Sequence, residues 1–310
     1  MANDLASLKS VTSDTCRIYS VDRLLQNRGN RFFVYLATAG DERFVLKNVT
    51  EPSFITYQGI FQDLRGSQYL RVPCDKASEQ SIFVYRYFSD HLLDLAEEQL
   101  PLPTTKRILK DALRGLAYMH DRDIVHTYIK PDNILIRRKD LNSIAVEEVQ
   151  LADLEDSAHV SVDCAIFGKQ VGNWMWRSPE AHASGPVEKP TDMFSFAIVA
   201  VHQDTIFFIS EDKLAEGEDV LSRVLERQIS YFADAEGFSG LMHHLGDSLR
   251  VEDFKVALEC SNEDNPLKPV ALWGHVDPDL RDLVGRLTNF DPAKRLTARE
   301  ALDHRWFSET

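Results

Sequence analysis

The chain reads as an α+β fold in which a small β-rich portion precedes a larger, mostly helical one. Three observations carry this. Aromatic and β-branched runs over residues 31–38 and 43–49 flank Ala39-Gly40-Asp41, which predicts two strands joined by a tight turn. A third strand is expected over 81–88, and between them a short helix over 54–64 with Ile60, Phe61 and Leu64 on one side. After Pro103 the period changes, because Ile108, Leu109, Ala112, Leu113, Leu116 and Met119 recur at helical spacing behind a cap expected at Thr104 or Thr105. Further helices are expected over 192–201 and 279–287. A last one opens at Thr297, where Thr297 and Glu300 have the spacing of a capping box. No internal repeat or low-complexity linker interrupts the pattern.

With 310 residues, 44% of them hydrophobic, the chain can form one large domain or two joined lobes with a shared core. Its formal charge of -14, with lysines and arginines scattered, leaves no electrostatic footprint for a nucleic acid and favours solubility and basic partners. Cys16, Cys74, Cys164 and Cys260 lie far apart without a Cys-x-x-Cys pair, which argues against a zinc site or a disulfide framework. They are expected to be reduced, partly buried thiols. The start, Met1-Ala2-Asn3-Asp4, lacks the basic and apolar stretches of a signal peptide, and the apolar run 194–209 is broken by His202, Gln203 and Asp204. These features predict a soluble intracellular protein, cytoplasmic or nuclear, with no membrane or nucleic-acid partner.

The strongest local signal is His126-Thr127-Tyr128-Ile129-Lys130-Pro131-Asp132-Asn133-Ile134-Leu135, followed by Leu151-Ala152-Asp153-Leu154-Glu155. Downstream stand Arg177-Ser178-Pro179-Glu180 and Asp192-Met193-Phe194-Ser195. In this order the segments resemble the eukaryotic protein kinases: His-Arg-Asp-x-Lys-Pro-x-Asn, Asp-Phe-Gly, Ala-Pro-Glu and Asp-x-Trp-Ser. The resemblance runs from about Arg31 to Phe307. It implies a bilobal kinase-like fold, with residues 1–88 as the β-rich N-lobe and 89–310 as the helical C-lobe of one domain. Trp176-Arg177-Ser178-Pro179-Glu180 resembles the signature of the CMGC group, which includes cyclin-dependent and mitogen-activated kinases, and residues 211–269 would contain an insert like that group's. Asp291-Pro292-Ala293-Lys294-Arg295-Leu296-Thr297 is similar to the family's closing motif and implies a buried Glu180–Arg295 pair.

Phosphoryl transfer from ATP needs magnesium to bridge phosphate oxygens and a group to orient the acceptor hydroxyl. By resemblance, Asn133 and Asp153 are the two Mg2+ ligands and Lys130 is the catalytic-loop lysine. Without the resemblance, Asn133 and Asp153 read as polar loop residues holding no metal. Lys47 matches the strand lysine that holds the ATP phosphates, although a lone strand lysine is ordinarily just solvated. Of the phosphate-covering Gly-x-Gly-x-x-Gly-x-Val motif only the middle glycine, Gly29, and Val34 remain, and a plain strand turn reads equally well. If the helix that follows this strand ends at Leu64-Arg65, Tyr57 occupies the position of the glutamate that partners the strand lysine; Glu51 and Asp63 are poorly placed substitutes.

Two departures bear on the chemistry directly. Thr127 replaces the arginine that in many kinases pairs with a phosphorylated activation segment, and Tyr128 replaces the aspartate that accepts the substrate proton. A phenol, with an unperturbed pKa of about 10, is neutral at pH 7 and bulky where the acceptor oxygen must approach. Glu155 replaces the glycine after the metal ligand, Asn173 replaces the usual activation-segment threonine, and Ser157 and Ser161 remain as modifiable hydroxyls. The resemblance therefore implies an ATP-binding pseudokinase acting on or through protein partners. The alternatives are a weakly or conditionally active Ser/Thr kinase, or a scaffold that binds no nucleotide.

Overall fold

Strand alternation builds the first part of the chain and a long helical period the second. The computed structural model describes residues 8–27, 29, 32–96, 98, 100–139, 145–201, 220–246, 248, 250–259 and 267–308. The chain divides into two units, Met1–Ser89 and Asp90–Thr310.

The first unit contains β1 (Ser10–Thr12), β2 (Ile18–Asn27), β3 (Phe33–Ala39), β4 (Glu42–Asn48), α1 (Glu51–Leu64), β5 (Asp75–Ala77) and β6 (Ile82–Arg86). The strands form one sheet in the order β1-β2-β3-β4-β6-β5. β3 and β4 close on the pair Ala39–Glu42, with Gly40 at φ 65° in the turn, where a side chain would be strained. Because side chains alternate, Tyr35, Ala37, Phe44, Leu46, Ile82 and Val84 share one face and pack with Val11 and Tyr19. Val34, Lys47 and Phe83 are aligned on the other face.

On the face carrying Phe83, α1 packs through aromatic contacts: Phe54 stacks on Phe83 at 4.4 Å and Phe61 meets it edge-on at 5.0 Å. Removing either buried ring would cost about 3–5 kcal/mol. The helix starts three residues before the expected position, because Thr50 caps it by accepting the Ser53 N–H and Pro52 supplies a pre-set first turn. It ends at Leu64, with Arg65 extended.

The second unit opens with β7 (Asp90–His91), α2 (Leu92–Ala96) and α3 (Leu102–His120), then β8 (Ile124–Val125), β9 (Ile134–Arg138), β10 (Val146–Leu151) and β11 (Ala158–His159). There follow α4 (Pro179–His182), α5 (Lys189–Ala200), α6 (Val220–Phe232), α7 (Ala235–Leu245), α8 (Val251–Glu259), α9 (Pro278–Leu287) and α10 (Ala298–Leu302). The periodic residues of α3 are buried, but neither Thr104 nor Thr105 caps it. The helix begins earlier because Leu102-Pro103 forms its first turn behind Pro101, and the Thr105 hydroxyl donates back to the Pro101 carbonyl. Every residue of α5 from Thr191 to Ala200 is buried, so this helix is enclosed by the others. At α10 the capping box closes in both directions: Thr297 accepts the Glu300 N–H, and the Glu300 carboxylate accepts the Thr297 N–H at 2.8 Å.

In the stretch expected to hold an insert, α6, α7 and α8 are present, whereas residues 211–219 and 260–266 lie outside the described residues, as do 202–210. Among the described residues no helix is long and apolar enough to cross a membrane. Cys16, Cys74 and Cys164 are free but exposed rather than partly buried, because all three fall in turns or loops outside the regular elements; Cys260 is outside the described residues.

Candidate active site

In the first unit Lys47 lies directly opposite Val34 on one side and Phe83 on the other. Its half-buried stem therefore rises between two apolar side chains on the face that α1 packs against. Gly29 forms a tight turn: its N–H donates to Asn27 Oδ1 at 3.0 Å and its carbonyl accepts the Phe32 N–H at 3.0 Å. With φ at 71° and no atom within 4 Å of a would-be Cβ, backbone conformation rather than crowding favours glycine there. Arg28, Asn30 and Arg31 lie outside the described residues. Tyr57 is half-buried with its ring 6.4 Å from that of Phe61, while Glu51 and Asp63 are exposed.

In the second unit the 126–133 loop is hung from one buried carboxylate. Asp192, near the start of α5, is fully buried. Its Oδ2 accepts the His126 N–H at 2.7 Å and faces His120 Nε2 at 3.0 Å, and its Oδ1 accepts the Thr127 N–H at 2.8 Å. His126, also fully buried, accepts the Tyr128 N–H on Nδ1, so its proton sits on Nε2 and donates to the Ala152 carbonyl at 3.0 Å.

The β9–β10 hairpin brings the two expected metal ligands to one end. Leu151 pairs with Ile134, and the Asn133 carbonyl accepts the Ala152 N–H at 2.8 Å. Asn133 precedes β9 and Asp153 follows β10 by two residues, so both residues lie at the same end of the hairpin. Asn133 Nδ2 donates to the Tyr128 carbonyl at 2.8 Å, which leaves Oδ1 without a hydrogen bond among the described residues. Asp153 adopts the left-handed conformation, φ 63° and ψ 45°, at the mouth of a short 3-10 turn.

Residues 8–307 match the family model of the protein kinase domain. The chain belongs to the protein kinase domain family. The match begins upstream of the stretch outlined by the motifs and takes in β1 and β2. The chain is similar to cyclin-dependent kinase B2-1 of Oryza sativa subsp. japonica, 24% identical over 225 residues, which is 68% of this chain and 59% of that protein. It is also similar to cyclin-dependent kinase-like 5 of Mus musculus, 26% identical over 233 residues, covering 72% of this chain and 22% of that protein. The matched stretches thus span 59% and 22% of these relatives' own lengths, and their type agrees with the CMGC-like signature at 176–180.

Tyr128, the residue that the motif resemblance sets at the base position, is half-buried and donates its N–H to His126 Nδ1 at 3.2 Å. The Lys130 ammonium lies 5.1 Å from the Tyr128 ring centroid and 3.3 Å from the Asp132 carboxylate. Thr127 holds φ at 66°, unusual for a β-branched residue, and donates its hydroxyl to the Asp156 carbonyl at 2.9 Å. Its own carbonyl lies 2.8 Å from where a Cβ on Gly172 would be, so that close approach requires glycine. Asn173 closes the next turn by accepting the Met175 N–H on Oδ1. Arg177 donates to Gln170 Oε1 at 3.0 Å and to the Gly172 carbonyl at 2.6 Å. Ser157 is buried, whereas Ser161 is exposed.

Asp192 and Gly172 were not read from the sequence as parts of this site. Asp192 carried a signal nonetheless: it is the one charge in the apolar run of α5, and a buried carboxylate needs several donors. For Gly172 a single sequence offers no comparable clue, since the crowding comes from a backbone atom 45 positions away.

Proposed function

We propose that this kinase domain binds ATP with magnesium, transfers its phosphoryl group poorly, and acts mainly through contacts with other proteins. The observation that carries the reading is Tyr128 at the base position of a loop whose backbone is otherwise fully anchored. A phenol there can donate a hydrogen bond to an acceptor hydroxyl but lacks the carboxylate that would take its proton. Loss of a general base costs about a hundred- to ten-thousand-fold in rate.

The residues present fit magnesium. Asn133 Oδ1 and the Asp153 carboxylate are hard oxygen donors from one end of the β9–β10 hairpin, of the kind magnesium takes together with substrate phosphates. Bound magnesium supplies charge neutralisation at the phosphate oxygens. Lys47 and Lys130 are the cations assigned to the phosphates, and Gly29 and Val34 are the remaining parts of the covering loop. A net charge of -14 supports protein partners or substrates rather than nucleic acid.

A second reading, a weakly active Ser/Thr kinase, is favoured by the retention of Lys47, Lys130, Asn133 and Asp153, because phosphoryl transfer depends mainly on positioning and electrostatics. Mg-ATP titration followed by thermal unfolding and a phosphotransfer assay separates the readings. At a hundred times Kd the nucleotide should stabilise the chain by about 2.7 kcal/mol and raise Tm by several degrees, with no turnover above that of Asp153→Ala. Turnover that disappears in Asp153→Ala supports the second reading. Absence of any Tm shift at millimolar Mg-ATP leaves a scaffold that binds no nucleotide.

A further inference from the structure

Burial alternates along the loop that carries Lys130: Tyr128, Lys130 and Asp132 are half-buried, whereas Ile129, Pro131 and Asn133 between them are buried. Extended backbone sends successive side chains to opposite sides, and Lys130 is extended at φ -160° and ψ 162°. The buried set anchors the loop. The other set gathers an aromatic ring, an ammonium and a carboxylate.

The backbone of Tyr128 is pinned at both ends, because its N–H donates to His126 Nδ1 at 3.2 Å and its carbonyl accepts from Asn133 Nδ2 at 2.8 Å. Over its ring sits the Lys130 ammonium, 5.1 Å from the centroid. The same ammonium donates to Asp132 Oδ2 at 3.3 Å. Each contact alone is weak, since a part-exposed ion pair is worth little and a cation on an aromatic face shifts a population by only about two- to fivefold. Together they cover a group that ordinarily stays in water: the Lys130 side chain is only 17% exposed.

We propose that Tyr128 and Asp132 clamp the Lys130 ammonium, so that the folded loop withholds this cation from an incoming phosphate. The inference rests on the reading of Lys130 as a phosphate-binding residue. Tyr128 then restrains the site in two separable ways: its phenol supplies no carboxylate, and its ring occupies the lysine. Phenylalanine keeps the ring and leucine does not, although neither can serve as a base.

Trace acetylation of the full chain with N-acetoxysuccinimide, read at Lys130 by mass spectrometry against the exposed Lys169, measures the clamp without nucleotide. Tyr128→Phe should label like wild type, and Tyr128→Leu and Asp132→Asn should each label about two- to fivefold faster. The ratio of Mg-ATP to Mg-ADP affinity measures what the clamp withholds. Tyr128→Leu should move that ratio toward ATP by about two- to fivefold, Tyr128→Phe should not, and the gain should vanish when Lys130→Met is added. The proposal is overturned if Tyr128→Leu or Asp132→Asn labels as slowly as wild type, if Tyr128→Phe labels as fast as Tyr128→Leu, or if nucleotides bind with one ratio to wild type and Tyr128→Leu. If no form binds either nucleotide, the ATP-binding reading fails and the labelling alone decides the clamp. Asp132→Asn, which keeps the shape and removes the charge, decides it even if Tyr128→Leu does not fold.

Discussion

Arg295 grips both carboxylate oxygens of Glu180, 115 positions earlier in the chain, at 2.6 and 2.9 Å, and both side chains are sealed from water. The remaining lone pairs and protons are also satisfied. Thr191 donates to Glu180, and Arg295 donates to the carbonyls of Asn289, Pro190 and Phe290. A pair buried this completely stabilises only while both members are present.

Arg295→Met should therefore destabilise the chain by about 3–5 kcal/mol in urea unfolding, because it strands a buried carboxylate. Replacing both residues, as in Glu180→Leu with Arg295→Met, should recover most of that loss. If the single variant unfolds within about 1 kcal/mol of the wild type, the pair does not anchor this part of the fold.

Stability should fall with acid in two stages. His182 is depressed from 6.5 to about 3 by burial first and by Arg177 second; Arg250 opposes its protonation and Glu180 favours it. Its contribution is complete above the unfolded value of 6.5 and is lost as pH falls toward 3. For Glu180, burial pushes the pKa up, but the Arg295 charge and hydrogen bonds outweigh it and hold it below 4.5. The sign is the same, so this contribution is lost only below about pH 4.5, as pH falls through the folded value. Unfolding free energy measured against pH should start to decline near 6.5, and in His182→Leu the onset should move to near 4.5. An unchanged onset in the variant would show that His182 is not the group responsible.

Tyr128→Asp places a carboxylate where the family has its base and removes the bulk of the ring. Partial rescue is expected: phosphotransfer should rise by less than about a hundredfold, because the missing helix glutamate, the shortened glycine motif and Glu155 remain. The matched assay compares wild type, Tyr128→Asp and Asp153→Ala on a generic Ser/Thr substrate. A gain near ten-thousand-fold would show that the base was the sole defect.

The activation segment should stay ordered without phosphate. Thr127 ties it to the catalytic loop through the Asp156 carbonyl, and Arg177 is engaged by Gln170 and the Gly172 carbonyl. Thr127→Val, which removes only the hydroxyl bond, should speed hydrogen exchange over residues 154–160. Gly172→Ala should cost about 1–3 kcal/mol through strain and collision with the Thr127 carbonyl. Ser161→Glu should change neither exchange nor nucleotide affinity, and an ordering effect there would overturn this account.

The sequence made the architecture and the loop chemistry legible to different depths. Periodicity exposed α3 through Ile108, Leu109 and Leu116, because a buried helix must repeat its apolar face. It missed β2, whose residues from Asp22 to Asn27 are all exposed and whose pairing with β3 shifts register twice, so no alternation survives to be read. Asn133 and Asp153 were singled out by motif order, and the pairing of Leu151 with Ile134 puts the two residues at one end of the β9–β10 hairpin. The cap of α3 was misread because threonine is a common cap, whereas proline at the first turn starts a helix as well. The contacts of Gly172 and His182 depend on segments that meet only in the folded chain.

Asp192 holds the His126 and Thr127 amides from a helix that makes no use of the side chains at 127 and 128 for this purpose. Shape and reactivity of the loop are thereby uncoupled. A substitution at 128 should leave the backbone path intact, whereas a substitution at 192 would release the path whatever residue stands at 128.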